Sequence, residues 1–475
     1  MMKKIILRRY KWLHIGVLLS IATGTASCMK DFLEERYNFS QVIPESLEDY
    51  QAIMDNGMVI NYFTASGLGI LGGDEIYIRD IIYNANHPTF EKNAYTWQKD
   101  IFGTEEVGEW NHAYKRVLHA NIVIDGLSDM EIDASEGSTR NSILGSALFV
   151  RAFTFFQLSQ VFCKQYDPMT SGSDLGIPLR LEADVNIVEK RASLEETFRQ
   201  IIGDLEKAIP LLPHSTLVRE RPNKGAALAL LARVYLQQSN YEKALEYAEL
   251  ALSENSTLID FNDLDNLGQP NPSGSYFTFD GIRETNPEIL FMSSSVTLSM
   301  VTSFLGGSLT IDTILLKSYA ENDLRKQAYF GKRNDTDAFI GSYTGVPLWF
   351  TGLAVDELYL IKAESACRLH QLPISLEALN QLLISRYDLT FETIEIADQK
   401  LLLERILEER RKELFFRGLR WSDLKRLNRE PEFAKVLKRK VNGEEYELPP
   451  NSNLYVLPIP YKSILQSGLE DNPRE

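Results

Sequence analysis

Cysteine and histidine are scarce here, three and six among 475 residues. Three cysteines cannot form a disulfide framework. No Cys-x-x-Cys, His-Glu-x-x-His or EF-hand spacing gathers ligands for a metal. His112 and His119 sit on one predicted helix face but seven residues apart, so they read as packing or surface residues. Cys163 and Cys367 lie in apolar helical contexts and read as free core thiols. Positive charge is also short, with 50 Lys and Arg against 66 Asp and Glu for a net charge of −16. An acidic chain does not release the counterions that drive nucleic-acid binding. No Gly-x-Ser-x-Gly nucleophile elbow occurs. Gly67-Leu68-Gly69-Ile70-Leu71-Gly72 matches a dinucleotide fingerprint as a string, but the fingerprint must open a helix within a βαβ unit. The residues after it, Gly73 to Tyr77, alternate like a strand, so the string reads as a flexible loop. Carboxylate pairs such as Asp74-Glu75 and Glu408-Glu409 are too common in an acidic chain to mark a glycosidase. These absences leave no catalytic site, no cofactor and no metal to expect.

Long apolar runs are missing after residue 27, so no later segment reads as a bilayer-spanning helix of about 20 residues. The first 27 residues have the pattern of an export signal. Lys3, Lys4, Arg8, Arg9 and Lys11 precede an apolar run from Trp12 to Ala26, which closes on Thr25-Ala26-Ser27 before Cys28. Small residues before a cysteine resemble a bacterial lipobox, with Cys28 as the lipidation site, while a plain secretory signal is the alternative reading. Removing residues 1–27 takes five basic and no acidic residues and leaves a net charge of −21. Two or more acyl chains anchor a protein stably where one does not, so an acylated Cys28 would tether an otherwise aqueous body. The residues that follow, Met29-Lys30-Asp31 and Glu34-Glu35, resemble the surface-export tag of Bacteroidetes lipoproteins.

What is present is mainly helix. Trp110, Tyr114, Val117, Asn121 and Ile124 recur at three and four residues and predict an amphipathic helix. A second runs from about Ser138 to Phe162. Ser193 with Glu196 forms a capping box for a third, which must end before Pro210 or Pro213. From Gly225 to Leu252 two helices flank a turn at Ser239-Asn240, with Ala226, Ala229 and Ala232 on one side and Tyr241, Ala244, Leu245 and Ala248 on the other. This is the helix-turn-helix of a tetratricopeptide repeat, and Asp356 to Arg386 reads as a second pair. Residues 56–108 and 253–350 are rich in Gly, Pro, Ser and aromatics and predict loops and short strands. Arg410, Arg411, Arg417 and Arg420 alternate with Glu408, Glu409, Glu413 and Asp423, the pattern of a salt-bridged helix. Trp110 and Trp421 are assigned to the core, the latter beneath the Gly418 turn.

Taken in order, several segments resemble the SusD/RagB family of Bacteroidetes outer-membrane lipoproteins. They are Trp110 to Leu127, Ala147 to Phe153, Gly176 to Leu179, Ser193 to Pro213, Arg221 to Ala227 and Leu231 to Leu236 in the first half. Asp356 to Glu364, Glu408 to Arg426, Tyr455 to Pro460 and Asp471-Asn472-Pro473 follow in the second. The resemblance implies a mainly α, SusD-like fold with tetratricopeptide-type helix pairs as scaffold, long irregular loop insertions and a few short strands. After removal of 1–27 it implies one body over 28–475, with an N-terminal part of about 28–255 and a C-terminal part of about 256–475. It also implies a nutrient-binding protein at the outer membrane, facing the cell surface, that serves a SusC-like TonB-dependent transporter and breaks no bond itself. The ligand it implies is an oligosaccharide, or a peptide as for RagB. A tetratricopeptide scaffold that binds only proteins is the reading from another class, and the two loop insertions argue against it.

Sugar rings stack on flat aromatics and hydrogen-bond to Asp, Asn, Arg or Gln. Aromatics outside the helical pattern are therefore the ligand candidates: Tyr77, Tyr83, Tyr95 and Trp97 in the first loop region, Tyr276, Phe277, Tyr343 and Trp349 in the second. Asp74, Arg79 and Gln98 are the accompanying polar groups. Trp97, within Tyr95-Thr96-Trp97-Gln98, leads the set. The competing expectation is that each ring fills the small core of its own loop.

Overall fold

Several helix starts in this chain are set by side chains that accept the first free backbone N–H groups. The computed structural model describes residues 44–474 apart from 132, 265–276, 283, 303–308 and 334–335. Its helices include α1 (Gly67–Gly72), α2 (Thr89–Tyr95), α3 (Gly108–Asp129), α4 (Gly137–Phe162) and α5 (Leu194–Ala208). The tetratricopeptide-type pairs are α6 (Lys224–Gln237) with α7 (Tyr241–Glu254) and α8 (Val355–Arg368) with α9 (Leu372–Ile384). α10 (Gln399–Glu413) and α11 (Arg420–Leu427) complete the scaffold. Ser193 Oγ accepts from Glu196 N at 3.1 Å, and the Glu196 carboxylate accepts from Ser193 N at 2.8 Å. Asn223 and Asn240 cap α6 and α7 through Ala226 N and Lys243 N. Asp398 caps α10 through Leu401 N.

The four repeat helices stack because small residues let their axes approach. Ala226, Ala227, Ala232, Ala244, Ala248, Ala363 and Ala366 are fully buried, and α7 packs on α8 to join two pairs that are remote in sequence. α4 is the centre of the body. By length and composition it belongs to the one helix among the described residues, Ala134–Phe162, that is apolar enough to cross a bilayer. That corrects the expectation of no such segment after the leader. The helix is buried inside the protein rather than exposed to lipid: Phe149 and Phe153 stack at 5.9 Å, and both meet the Phe291 ring edge-on at 4.9 and 5.3 Å. Arg151 on α4 pairs with the buried Asp204 of α5 through two 2.8 Å hydrogen bonds. Cys163 and Cys367 are buried and free. Burial raises the pKa of both thiols, that of Cys367 to about 11, which keeps them protonated and unreactive.

The charged run of α10 and α11 differs from its expectation. Pairs at helical spacing exist, as in Lys412–Glu409 at 2.7 Å and Arg426–Asp423 at 2.9 Å. Most of the network, however, is interior and reaches across the fold. Arg386 bridges Glu288 and Glu413 at 2.7 Å each, and Arg325 holds Asp323 and Glu409, all with fully buried side chains. Arg417 meets Asp356 and Arg420 meets Asp74. A buried charge is tolerable only when paired and hydrogen-bonded, so this network joins the loops of 253–350 to α10. Trp421 is buried as expected, and its ring lies against α1.

The string Gly67 to Gly72 is not a flexible loop. It is a short helix whose every residue is buried. A Cβ on Gly72 would lie 2.9 Å from the Trp421 ring, so a side chain there would force the ring away. The expected strand follows it at Ile76–Ile78 and pairs antiparallel with Leu309–Ile311. A hairpin of Leu437–Val441 with Glu444–Leu448 turns at Asn442 and Gly443, with φ of 52° and 87°. Asn-Gly is the sequence that such a two-residue turn favours.

Candidate functional site

The two loop regions, far apart in sequence, are joined to each other. Ile76 pairs with Ile311 and Ile78 with Leu309, and Thr64 bridges to Ser295. The Glu91 carboxylate accepts from Ser299 N at 2.8 Å and Met300 N at 2.6 Å, and His87 Nδ1 lies 2.8 Å from Ser299 Oγ. Two further carboxylates tie the same region from below. Glu75 accepts from Phe416 N and Glu109 from Leu68 N. Burial outweighs these bonds and pushes both carboxyls up to about 7, since a desolvated carboxylate favours its neutral form.

Four of the eight predicted ligand aromatics are inside this assembly. Trp97 is 4% exposed, takes φ of 54° and donates from Nε1 to the Gly72 carbonyl at 2.9 Å. Tyr95 is fully buried and its hydroxyl accepts from Ile78 N at 2.8 Å. The Arg439 guanidinium lies over both rings, 3.8 Å from the Tyr95 centroid and 4.4 Å from that of Trp97. It donates to the carbonyls of Leu71, Gly73 and Tyr95. Tyr343 is buried beneath Arg417 and donates to Glu288. Trp349 is buried and stacks on Phe416 at 5.2 Å. These four rings fill the loops' own core and are closed off from solvent. The reason is size: each large ring gains more by leaving water than by waiting at the surface.

The polar candidates divide in the same way. Burial alone would raise the Asp74 carboxyl, but Arg420 at 2.6 Å, with Arg411 and Lys435, holds it well below the usual carboxylate range. Gln98 is half-buried and its amide is turned to Thr96 Oγ1 at 3.1 Å. Arg79 is exposed. Tyr276 and Cys28 lie outside the described residues, and Phe277 is half-buried. His112 stacks on Phe63 at 5.3 Å, and half-buried His119 turns to the Lys115 carbonyl.

Among the aromatics of the first loop region, Tyr77 and Tyr83 stay within reach of solvent. Tyr77 is 39% exposed, and its hydroxyl donates to the Lys440 carbonyl at 3.3 Å. Tyr83 is half-buried, with Lys92 Nζ 5.9 Å from its ring centroid. The C-terminal hairpin adds groups that the sequence reading missed. Half-buried Tyr446 donates to the Glu444 carboxylate at 2.8 Å, and that bond, with a smaller effect of nearby Tyr83, raises its phenol above the usual value. Asn442 exchanges side-chain hydrogen bonds with Asn84 at 2.8 and 3.0 Å, and its N–H donates to Asp80 at 2.9 Å. The signal for this hairpin was present in the alternation of Leu437, Arg439 and Val441 before Asn442-Gly443. Tyr77, Tyr83 and Tyr446 thus flank exposed amides, an arrangement suited to stacking and to hydroxyl recognition.

A helix-pair scaffold carrying two joined loop insertions, with solvent-accessible tyrosines where the first meets a C-terminal hairpin, is the class of protein that these observations define. Comparison with known proteins places it further. A family described as "Starch-binding associating with outer membrane" matches residues 31–236, and the one described as "SusD family" matches residues 355–473. The chain belongs to the SusD/RagB family. SusD-like protein P2 of Formosa agariphila is 28% identical over 144 residues, covering 30% of this chain. That match spans only 26% of the relative's length. Among solved structures, a SusD superfamily protein from Bacteroides thetaiotaomicron superposes with a TM-score of 0.72 at 20% identity, over 90% of this chain and 100% of that one. A SusD-like carbohydrate binding protein from Bacteroides vulgatus gives 0.67 at 20% identity, over 90% and 97%. At such identities the likeness is one of fold, and the fold is the mainly α, SusD-like one.

Proposed function

We propose that this protein captures an oligosaccharide at the cell surface and delivers it to a SusC-like TonB-dependent transporter in the outer membrane. The protein breaks no bond in this task; binding and release are its whole chemistry. It is held at the membrane by lipid on Cys28 after removal of residues 1–27. With a net charge of −21 the released chain gains nothing from an anionic membrane surface, so the anchor and the partner barrel hold it there.

The observation that supports this reading most is the exposed face at Tyr77, held by the pairing of Ile76–Ile78 with Leu309–Ile311 on one side and by the C-terminal hairpin on the other. On that face Tyr77 and Tyr83, together with Tyr446, are the stacking residues, and Arg79, Asn84 and Asn442 are the hydroxyl partners. The test is a titration of oligosaccharides of different linkage, with peptides alongside. Tyr77→Ala and Tyr83→Ala should each weaken the bound glycan by about 1–3 kcal/mol if they stack on it. Saturable binding of peptides with none of any glycan would overturn the oligosaccharide reading.

A further inference from the structure

A cavity of about 270 Å³ opens between the loop after α4, the end of α11 and residues 451–456. None of its lining residues belongs to the loop regions that carry the candidate face. Lys425, 5% exposed, lines it. Its Nζ donates to the Gln160 carbonyl at 2.9 Å and the Cys163 carbonyl at 2.6 Å, where a cation suits the carbonyl end of α4. An ammonium has three N–H donors, and among the described residues the third has no partner and the charge no carboxylate. The other two bases in the lining are matched. Lys164 pairs with Asp174 at 2.9 Å and Arg429 with Asp167 at 2.6 Å. The uncompensated charge of the cavity is therefore that of Lys425.

The rest of the lining selects what an anion there would carry. Asn451 spends its amide N–H on the Asn428 carbonyl, which leaves its side-chain oxygen for a hydroxyl donor, and Asn453 and Ser452 stand beside it. Both acids are already paired, so an amino acid would find no partner for its ammonium. The volume falls just short of the roughly 300 Å³ at which pockets for drug-sized ligands begin, which suits one sugar unit rather than a chain.

We propose that this cavity is a second binding site, for a small carboxylated carbohydrate of hexuronate size, with the carboxylate on Lys425 and ring hydroxyls on Asn451 and Asn453. Burial pulls the Lys425 ammonium down to about 8. The groups facing it are the Cys163 thiol, Lys164, Arg429 and the two aspartates. A carboxylate arriving at pH 8 raises the affinity of Lys425 for its proton, so binding takes up a fraction of a proton.

The experiment is calorimetric titration of the full chain with glucuronate and galacturonate. Glucose and galactose serve as neutral controls and acetate as the bare anion. Saturable binding of one uronate, at least tenfold tighter than the matching hexose and acetate, is expected. Buffers of different ionisation enthalpy should show proton uptake at pH 8, and Lys425→Met should abolish the uptake and weaken binding at least tenfold. Lys425→Met also removes an interior contact, so Asn453→Ala is the companion variant, expected to weaken uronate binding several-fold while uptake persists. Absence of saturable uronate binding, equal affinity for hexose or acetate, or binding without proton uptake would each overturn the proposal. Because none of the loop tyrosines lines this cavity, its failure leaves the loop-face reading standing, and the reverse holds too.

Discussion

The guanidinium of Arg439 lies 3.8 Å from the centre of the Tyr95 ring, across 344 residues of chain. The Trp97 ring centre lies 4.4 Å from the same guanidinium, and burial lowers the Arg439 pKa to about 10, well below its ordinary value. The cation is solvated by two aromatic faces and three carbonyls in place of water. A hairpin near the end of the chain is in this way built into the first loop region.

Trp97→Ala should therefore act on stability rather than on ligand. Removing a buried Trp costs about 3–5 kcal/mol, read as a lowered midpoint in denaturant unfolding. Glycan affinity per folded molecule should stay within twofold of the parent. A large loss of affinity at unchanged stability would return Trp97 to the ligand face.

Asp74 holds three cations, Arg420, Arg411 and Lys435. Asp74→Asn leaves Arg420, whose side chain is 14% exposed, without its carboxylate and should cost about 2–4 kcal/mol, somewhat less than for a fully buried pair. Because the Asp74 carboxyl is depressed in the folded state, its stabilisation is present above the unfolded value of about 3.9 and is lost as pH falls through the folded value. Chemical denaturation below pH 4 should show a shallower acid limb in Asp74→Asn than in the parent.

Glu75 and Glu109 have the opposite sign. Each is raised to about 7 by burial, so the folded state holds protons that the unfolded chain releases near pH 4.3. Their contribution is full below that value and is lost as pH rises through about 7, at up to about 1 kcal/mol per pH unit per group. Unfolding free energy should decline between pH 5 and 8, and Glu75→Gln with Glu109→Gln should flatten the decline. A parent whose stability rises over that range, with variants that follow it, would show that both groups are ionised when folded.

Cys28 is open to a direct test in the native host. Metabolic labelling with a fatty acid should mark the wild type and not Cys28→Ala, and the variant should leave the membrane fraction. A Cys28→Ala protein that stays with membranes would refute the lipid anchor.

How much of this was legible in the residues differs between scaffold and site. Ser193 with Glu196 marks a helix start through bonds that span three residues and is formed as expected, and the turn expected at Ser239-Asn240 falls between α6 and α7, where Asn240 also caps α7. The alternating apolar positions of α3 and the alanines of α6 and α7 likewise carry their partners' geometry locally. The string Gly67 to Gly72 misled because its helix exists only against Trp421. Its glycines are read as loop until the ring they admit is known.

Local order thus settles in the sequence itself: helix periods, caps, free thiols and the acidic balance follow from neighbours within about four residues. Burial does not, because it depends on what packs from elsewhere. Whether Trp97 faces sugar or core was decided by Arg439, and whether Arg410 and Arg417 face water or interior by Asp423 and Asp356. Tertiary structure alone brought those partners together, and desolvation made each of them obligatory. What it left at the surface, Tyr77, Tyr83 and Tyr446 beside an amide pair, is a smaller and better-defined face than composition suggested.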